Sequence, residues 1–420
     1  MADDSRVFVI VGASLTGAKA AQELRAEGFE GRIVLIGEET EPPYERPPLS
    51  KGYLLGKDPR DKAFVHKPDW YPAHGVDLVL GRRATMLDPA AHTVLLDGVE
   101  PVRYDKLLLS TGARVRELRV PGADLADVRY LRTLTEADAL LGHLRAGAQI
   151  VVVGAGWIGL ETAAAAREHG CSVTVIEVDR LPLRRVLGDE VATIYRDLHE
   201  AHGVRFLFRS AVREFSGDDR DRLTSVVLDD GTEIGADVAV VGVGVQPATE
   251  LAEAAGLAVD NGILVDAGLR TSDPDIFAAG DVANADNPLL GSRVRVEHWA
   301  NALNGGKAAA RAMLGQPLVY DRVPYFYSDQ YDLGMEYSGW IGPGGYDRVV
   351  FRGDPTVRDG KAPEFIAFWV QDGRVLAGMN ANVWDVVEPI QALVRAGYAG
   401  RTVDLAKLAD PEVPLTDLLN

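Results

Sequence analysis

Two strand–turn–helix units limit the architectures that this chain can adopt. The first reads VFVIVGASLTGAKAAQEL at residues 7–24, and the second reads QIVVVGAGWIGLETAAAAREHG at residues 149–170. In each unit an apolar run ends at a glycine-rich turn that opens a helix rich in small residues, a pattern typical of dinucleotide binding. Two such units predict two Rossmann-like α/β domains, each binding one dinucleotide.

The two turns differ at their middle place. In the G-x-G-x-x-G pattern the first glycine permits the tight turn, the second lets a pyrophosphate approach the backbone, and the third lets the helix pack on its strand. Ser14 stands at the middle place of the first turn, so the sequence leaves open whether that turn still binds phosphate. The glycines are Gly12 and Gly17 in the first turn, and Gly154, Gly156 and Gly159 in the second.

An acidic residue follows the next apolar run after each turn. Glu38 comes soon after GRIVLIG, and Glu177 ends CSVTVIE. A carboxylate at this place accepts hydrogen bonds from a ribose 2′-hydroxyl and repels a 2′-phosphate. NAD is therefore favoured over NADP at the second unit, although Arg184 and Arg185 follow a few residues later and could hold a phosphate.

Charge and cysteine content exclude several classes of protein. The 420 residues include 62 Asp and Glu against 44 Lys and Arg, and the net charge of −18 argues against a general nucleic-acid binder. Cys171 is the only cysteine, which excludes an intrachain disulfide and a C-x-x-C redox pair. No apolar run is long enough to span a membrane, and MADDSRVFVI enters a strand without a secretory signal, so we expect a cytoplasmic protein.

The remaining segments predict a nested arrangement of domains. PPYERPPLSKGYL is a stiff, proline-rich loop that can hold Arg46 and Lys51 in place. A later strand ends at Gly280 and Asp281, where the acid can bind a polyol hydroxyl or cap the next helix. We expect a first nucleotide domain at residues 1–115 and 246–322, a second one inserted at 116–245, and a C-terminal α/β domain at 323–420.

Six ordered motifs resemble the FAD-dependent ferredoxin reductases of bacterial oxygenase systems. They are PPLSK, YLRT, GAGWIGLE, TSDPDIFAAGD, VRVEHWANAL and SDQYD, and together they extend over nearly the whole chain. The resemblance implies a glutathione reductase-like α/β fold with FAD at the first unit and NADH at the second. It further implies an enzyme that passes electrons from NADH through FAD to a 2Fe-2S ferredoxin, which feeds a cytochrome-type monooxygenase or a Rieske oxygenase.

The resemblance also implies the residues of both cofactor sites. Those implied for FAD are Gly12, Ser14, Thr16, Gly17, Glu38, Arg46, Lys51, Ala84, Arg132, Asp281, Glu297 and Trp299. Those implied for the nicotinamide nucleotide are Gly154, Gly156, Ile158, Gly159, Glu161, Glu177, Arg185 and Gly244.

Lys51 and Glu161 are the residues that the resemblance brings closest to the chemistry. It implies an ion pair between them near the flavin and the nicotinamide, where the lysine could stabilise negative charge on the reduced ring. The cofactors supply the reaction itself, so we expect no protein nucleophile and no metal ligand.

The resemblance also implies a ferredoxin as the partner, which needs a docking surface on this chain. Lys307 and Arg311, on the helix after Trp299, offer positive charge for an acidic ferredoxin, although an ordinary solvated helix face explains them equally well. Tyr325 and Tyr327 stand where members of this family often have tryptophans, which leaves the effect on electron transfer open.

The single cysteine excludes one alternative activity and leaves others open. Disulfide reductases of the glutathione or thioredoxin type need two cysteines beside the flavin, and Cys171 alone cannot supply them. A reductase of rubredoxin, monodehydroascorbate or a quinone stays possible. So does an interaction protein resembling apoptosis-inducing factor, in which flavin reduction switches assembly.

Overall fold

The structure is a computed structural model that describes residues 5–419. It divides into two compact units: unit 1 contains residues 5–45, 61–114 and 246–325, and unit 2 contains residues 46–60, 115–245 and 326–419. The sequence led us to expect three domains instead. The proline-rich loop and the C-terminal segment both join the inserted nucleotide domain in unit 2, whose contacts are described below. Residues 1–4 and Asn420, the outer ends of the expected first and third domains, lie outside the described residues.

The strands of the described chain are short, as is usual for a multi-sheet α/β protein. In chain order they are β1 Val7–Val11, β2 Arg32–Ile36, β3 Val76–Val79, β4 Ala84–Asp88, β5 Thr93–Leu96, β6 Val99–Arg103, β7 Lys106–Leu109, β8 Ala113–Val115, β9 Val128–Arg129, β10 Gln149–Val153, β11 Ser172–Glu177, β12 Arg205–Phe208, β13 Val212–Gly217, β14 Leu223–Leu228, β15 Glu233–Gly235, β16 Val238–Val241, β17 Val245–Pro247, β18 Ile263–Val265, β19 Ile276–Ala278, β20 Ala283–Asn287, β21 Ser292–Arg295, β22 Tyr325–Gln330, β23 Leu333–Gly339, β24 Arg348–Gly353, β25 Phe365–Gln371 and β26 Arg374–Ala381.

Helices alternate with strands within residues 7–79 and 149–208, as expected of nucleotide-binding units. The α-helices of the described chain are α1 Leu15–Ala26, α2 Trp70–Ala73, α3 Leu134–Leu141, α4 Trp157–Glu168, α5 Arg184–Ala201, α6 Glu250–Ala254, α7 Trp299–Met313, α8 Val387–Tyr398 and α9 Leu405–Ala409. No helix within residues 5–419 is both long enough and apolar enough to cross a membrane.

Unit 1 is built on a parallel sheet with the strand order β19-β7-β1-β2-β3. β1 pairs with β2 on one side and β7 on the other, so that Val9 lies between Val34 and Leu107. These strands are almost continuously apolar because both faces of the sheet are covered. The connection out of β1 therefore leaves the sheet where the strand order reverses, the place at which such sheets bind ligands.

Unit 2 repeats this plan and adds a second sheet. Its parallel sheet has the order β12-β11-β10-β16-β9, with β10 again between its two crossover neighbours. The C-terminal segment forms a mostly antiparallel sheet, β22-β23-β26-β25-β24, against which α8 packs. The predicted fold class is confirmed, and the C-terminal part owes its sheet to hairpins rather than to crossover helices.

Close packing of α1 against α7 holds the nucleotide turn of unit 1 in place. A methyl group on Gly306 would collide with the carbonyl oxygen of Thr16, which belongs to the first turn of α1. A methyl group on the adjacent Gly305 would meet only ordinary contacts, the nearest at 3.5 Å from the Ala279 Cβ. The close approach of the two helices therefore requires glycine at position 306 but not at position 305.

We predict that Gly306→Ala lowers the free energy of unfolding by about 2 kcal/mol, since the added methyl overpacks the helix pair. The matched control, Gly305→Ala, should be neutral or stabilising by about 0.5 kcal/mol, because alanine restricts the unfolded chain. Urea unfolding followed by circular dichroism measures both. Equal effects of the two substitutions would contradict the role given to Gly306.

Candidate functional site: two nucleotide turns and a buried ion pair

The turn after β1 is shaped by the protein's own backbone. Gly12 has φ +120°, and a Cβ there would collide with the carbonyl oxygen of Ser110 on the neighbouring connection. A Cβ on Gly17 would collide with the carbonyl oxygen of Gly12. Packing alone therefore requires both glycines, whether or not a ligand binds.

The middle place of the turn has no such requirement. Ser14 is the N-cap residue of α1 with φ −127°, an extended conformation open to any residue, and its side chain makes no capping hydrogen bond. Its counterpart Gly156 is the N-cap of α4, and a Cβ there meets nothing within 4 Å. The open volume beside this position can therefore hold a ligand, and a serine fits there without disturbing the fold.

Both turns fit an anionic, phosphate-bearing ligand. Neither α1 nor α4 carries an acidic residue of its own in its first turn. The first N–H groups of a helix have no partners within the helix and bind phosphate readily. A dinucleotide pyrophosphate at each turn agrees with this geometry.

In unit 1 the structure brings several of the predicted flavin residues together. A Cβ on Gly280 would lie 2.5 Å from Thr16 Oγ1, so the end of β19 and the adjoining Asp281 lie beside the turn. Glu38 is exposed just beyond β2, with Arg83 and Arg114 each 3.9 Å from its carboxylate. The remaining residues have contacts of their own: Ala84 begins β4, Trp299 Nε1 donates to Glu45 Oε2 at 2.9 Å, and Glu297 pairs with Arg295.

The turn after β10 has the same construction in unit 2. Gly154 has φ +100°, and a Cβ there would lie 2.5 Å from the carbonyl oxygen of Gly242. A Cβ on Gly159 would collide with the carbonyl oxygen of Gly154. Gly244, beyond the end of β16, has φ +99°, a conformation that glycine adopts without strain. Ile158 is 43% exposed on the first turn of α4.

Glu177 lies at the same edge of the sheet, and its carboxylate is held by the backbone. Oε2 accepts a hydrogen bond from the N–H of Ala155 at 2.7 Å, and Oε1 accepts one from the N–H of Asp179 at 2.8 Å. An ionised carboxylate has about four acceptor positions, so two are left for a ribose. The last residue of β11 is thus already oriented towards the glycine turn.

The two arginines after Glu177 differ in their freedom. Arg184 donates to Asp189 at 2.6 Å and lies 3.4 Å from Asp179, so its charge is compensated by two carboxylates. Arg185 has a side chain that is 79% exposed, with Asp179 at 4.0 Å. Of the pair, Arg185 is the one able to reach a ligand.

Two pairs of predicted residues touch within unit 2. Arg46 Nη1 donates to the carbonyl oxygen of Arg132 at 3.1 Å. Lys51 Nζ lies 2.7 Å from Glu161 Oε1, and the side chains are 14% and 2% exposed. Tyr327 adds its ring beneath the same ammonium group, with the ring centre 5.4 Å from Lys51 Nζ. The ion pair is therefore shielded from water, where electrostatic interactions are stronger.

Sequence reasoning assigned no role to the two serines that complete this ion pair. Ser50 Oγ donates to Glu161 Oε2 at 2.5 Å, and Ser328 Oγ donates to Oε1 at 2.6 Å. Both serines lie in quoted motifs, PPLSK and SDQYD, which gave the only signal. Burial raises the pKa of the neighbouring Asp329 above the ordinary carboxyl value, and Lys51 opposes that shift.

Docking at Lys307 and Arg311 stays a prediction, and Arg311 is already paired within unit 1. Its guanidinium pairs with Glu23 at 2.5 Å and with Glu27 at 3.2 Å, so it does not offer an uncompensated positive charge. Lys307 is partly buried on the same helix and close enough to Lys19 to contribute to lowering the pKa of that amine, a shift caused mainly by burial.

Cys171 directly precedes β11. It is fully buried, its thiol donates to the carbonyl oxygen of Arg145 at 3.3 Å, and burial raises its pKa. A buried thiol with a raised pKa is a packing residue rather than a nucleophile.

Known proteins resemble nearly the whole of this chain. The family model described as Pyridine nucleotide-disulphide oxidoreductase matches residues 6–306, and the model described as Reductase C-terminal matches residues 325–419. The chain is 41% identical over 415 residues to the anthranilate 1,2-dioxygenase system ferredoxin–NAD(+) reductase component of Burkholderia cepacia, covering 98% of this chain and 99% of that protein. It is 38% identical over 378 residues to putidaredoxin reductase of Pseudomonas putida, covering 89% and 88% of the two chains.

A solved structure has the same fold. The reductase chain in the crystal structure of the covalent putidaredoxin reductase–putidaredoxin complex superposes with a TM-score of 0.92 at 35% identity, covering 99% of this chain and 98% of that one.

Ser14 offers a direct test of the first turn. We predict that Ser14→Gly keeps bound flavin, because the middle place needs only a small residue, and that Ser14→Leu loses it, because the side chain fills the ligand's space. The flavin-to-protein absorbance ratio of the purified variants measures this, and unfolding curves check that each variant is folded. A Ser14→Leu protein with full flavin would show that the phosphates lie elsewhere.

Proposed function

The chain belongs to the pyridine nucleotide-disulphide oxidoreductase family with a reductase C-terminal domain, and we propose that it is an NADH-dependent ferredoxin reductase of an oxygenase system. It would take electrons from NADH and deliver them to a 2Fe-2S ferredoxin that feeds a monooxygenase or a Rieske oxygenase. The observation that carries this proposal is the 41% identity to an oxygenase-system ferredoxin reductase over 98% of the chain. That similarity includes the C-terminal domain, which the two nucleotide turns alone would not explain.

The two turns divide the cofactors between the units. In unit 1, the turn from Gly12 to Gly17 would hold the pyrophosphate of FAD, with Glu38 for the adenosine ribose. In unit 2, the turn from Gly154 to Gly159 would hold NADH. When bound, FAD accepts two electrons from NADH and gives them up singly, which suits a one-electron iron–sulfur acceptor.

In this proposal the chain's own residues bind the cofactors, orient the Lys51 ammonium and shield it from water. Glu161 holds the Lys51 ammonium in a buried place, where a fixed positive charge stabilises developing negative charge more strongly than it could in water. Lys51 and Glu161 are thus the residues that we propose lie next to the chemistry. None of the described residues has to act as a nucleophile.

The family's name refers to disulfide chemistry that this chain cannot perform in the usual way. A dithiol relay needs two cysteines, and the sequence contains one. Cys171 is buried, and its pKa is raised by that burial. Electrons must therefore leave to an external acceptor without a thiol intermediate on the protein, as a ferredoxin permits.

Glu177 supports NADH as the preferred nucleotide. Its carboxylate is oriented by two backbone N–H groups and would meet the 2′-position of the adenosine ribose. A 2′-phosphate at this place would face the carboxylate charge, while Arg184 is already held by two aspartates. Of the two arginines that follow Glu177, the exposed Arg185 is the one that remains to attract such a phosphate.

A ferredoxin is usually acidic, so docking calls for a local positive surface on this acidic chain. With Arg311 compensated by Glu23 and Glu27, the docking proposal rests on Lys307, with Lys19 nearby.

The central test is electron transfer to cytochrome c from NADH, with and without an added 2Fe-2S ferredoxin. We expect putidaredoxin or a Rieske-type ferredoxin to increase the rate manyfold, because the flavin would reduce cytochrome c slowly by itself. Stimulation by rubredoxin alone would instead identify a rubredoxin reductase. Slow flavin reduction, no stimulation by any ferredoxin and a dimer formed on reduction would refute the proposal and favour a redox-switched interaction protein.

A second prediction concerns nucleotide choice. Glu177→Gln should narrow the ratio of flavin reduction rates with NADH and NADPH by about tenfold, the effect of removing a repulsion of about 1.4 kcal/mol. Stopped-flow bleaching of the flavin absorbance measures both rates, and flavin content and thermal midpoint verify that the turn is intact. Equal rates with the two nucleotides in the unaltered protein would refute the role of Glu177.

A further inference from the structure

A chain of buried polar side chains extends from Glu161 through the C-terminal sheet of unit 2. Ser328 Oγ contacts Glu161 Oε1 at 2.6 Å, and Gln330 Nε2 contacts Ser328 Oγ at 3.0 Å. His199 Nε2 then contacts Gln330 Oε1 at 2.8 Å. The chain ends at Tyr331, whose hydroxyl lies 3.3 Å from His199 Nδ1. Ser328, Gln330 and His199 are at most 2% exposed.

The direction of every hydrogen bond in this chain follows from the carboxylate at its end. Ionised Glu161 can only accept, so Ser328 donates its proton to it and must accept from the amide of Gln330. This fixes the orientation of the amide, whose oxygen then faces His199 and accepts from Nε2. Each donor therefore points towards Glu161, an arrangement in which successive hydrogen bonds strengthen one another.

His199 is neutral in this arrangement. Its complete burial, with His202 nearby, lowers its pKa to about 4, although the hydrogen bond to Gln330 opposes the shift. With the proton on Nε2, Nδ1 is left to accept from the Tyr331 hydroxyl. The hydrogen-bonded side chains thus contribute dipoles, and no second charge, to the surroundings of the Glu161 carboxylate.

We propose that Ser328, Gln330 and His199 are positioning residues, which orient the Glu161 carboxylate and thereby fix the Lys51 ammonium for electron transfer from NADH. The inference rests on the proposed function, because it assigns these residues a task in the NADH step. It also gives a physical reason for the serine and the glutamine of the SDQYD motif, to which the proposed function assigns nothing.

The residue types in this row of hydrogen-bonded side chains favour positioning over proton transfer. An amide does not readily accept a proton on one side and release one on the other, so Gln330 interrupts any proton path between His199 and Glu161. What Gln330 does provide is a donor and an acceptor at a fixed spacing. Burial in unit 2 keeps water from competing with these bonds.

The principal experiment follows flavin reduction by NADH in stopped flow. Ser328→Ala should slow it about tenfold, the loss expected from one hydrogen bond to a charged group, with little change in the NADH concentration that gives half the maximal rate. Gln330→Met, which keeps the volume but removes the amide, should give a smaller loss in the same sense. The matched control is Ser338→Ala, which removes a serine 2% exposed in the same sheet that bonds Gln391 instead, and should leave the rate unchanged.

A double-mutant cycle separates positioning from general damage. In a Glu161→Gln background, Ser328→Ala should slow flavin reduction less than twofold further, because the serine acts only through the carboxylate. If the tenfold loss recurs in that background, or if Ser338→Ala causes the same loss, the inference is overturned.

A second readout does not depend on turnover. In nitrogen-15 spectra of the oxidised protein without NADH, the Lys51 ammonium should give a resolved, slowly exchanging signal that Lys51→Met removes. Ser328→Ala and Gln330→Met should broaden it, while Ser338→Ala should not, and an unchanged signal in the first two variants would refute the inference. If the unaltered protein fails to reduce its flavin with NADH, it is the proposed function that fails instead.

Discussion

The carboxylate of Glu161 joins three separate segments of the chain. It accepts hydrogen bonds from Ser50 and Lys51 in the proline-rich loop and from Ser328 in the C-terminal sheet, while its own helix follows the glycine turn of unit 2. A buried carboxylate without partners would be strongly destabilising, so each segment needs the other two. This explains why the loop and the C-terminal segment belong to the same compact unit as the inserted nucleotide domain.

The site combines two kinds of constraint that act at different ranges. The glycine turns are local: a few residues, the next strand and one neighbouring carbonyl determine them. The ion pair is long-range, because Ser50 and Ser328 are 111 and 167 residues from Glu161 along the chain. A phosphate site can therefore be recognised within one segment, whereas the polar cluster exists only after the whole unit has folded.

That difference decides how much the sequence could predict. Both turns, their strands and the orienting position of Glu177 follow from spacing alone, and the structure contains each of them. The pairing of Lys51 with Glu161 came from a resemblance to a family, since no periodicity connects the two residues. Ser50, Gln330 and His199 were given no role because hydrogen-bond partners so far apart leave no pattern in one sequence. The pairing of Arg311 with Glu23 and Glu27 was missed for the same reason, because both carboxylates lie far earlier in the chain.

The middle position of the first turn bears on how such turns are recognised at all. The first and third glycines are required by collisions within the protein, and the second is required by nothing in the protein. The three letters of the pattern therefore carry unequal information. The two outer letters specify the backbone conformation of the turn, and the middle letter specifies how closely a ligand can approach it. A search that weights them equally would pass over Ser14 and count this chain as having one nucleotide turn. A search that requires glycine at the two outer positions, and only a small residue at the middle one, would find both turns.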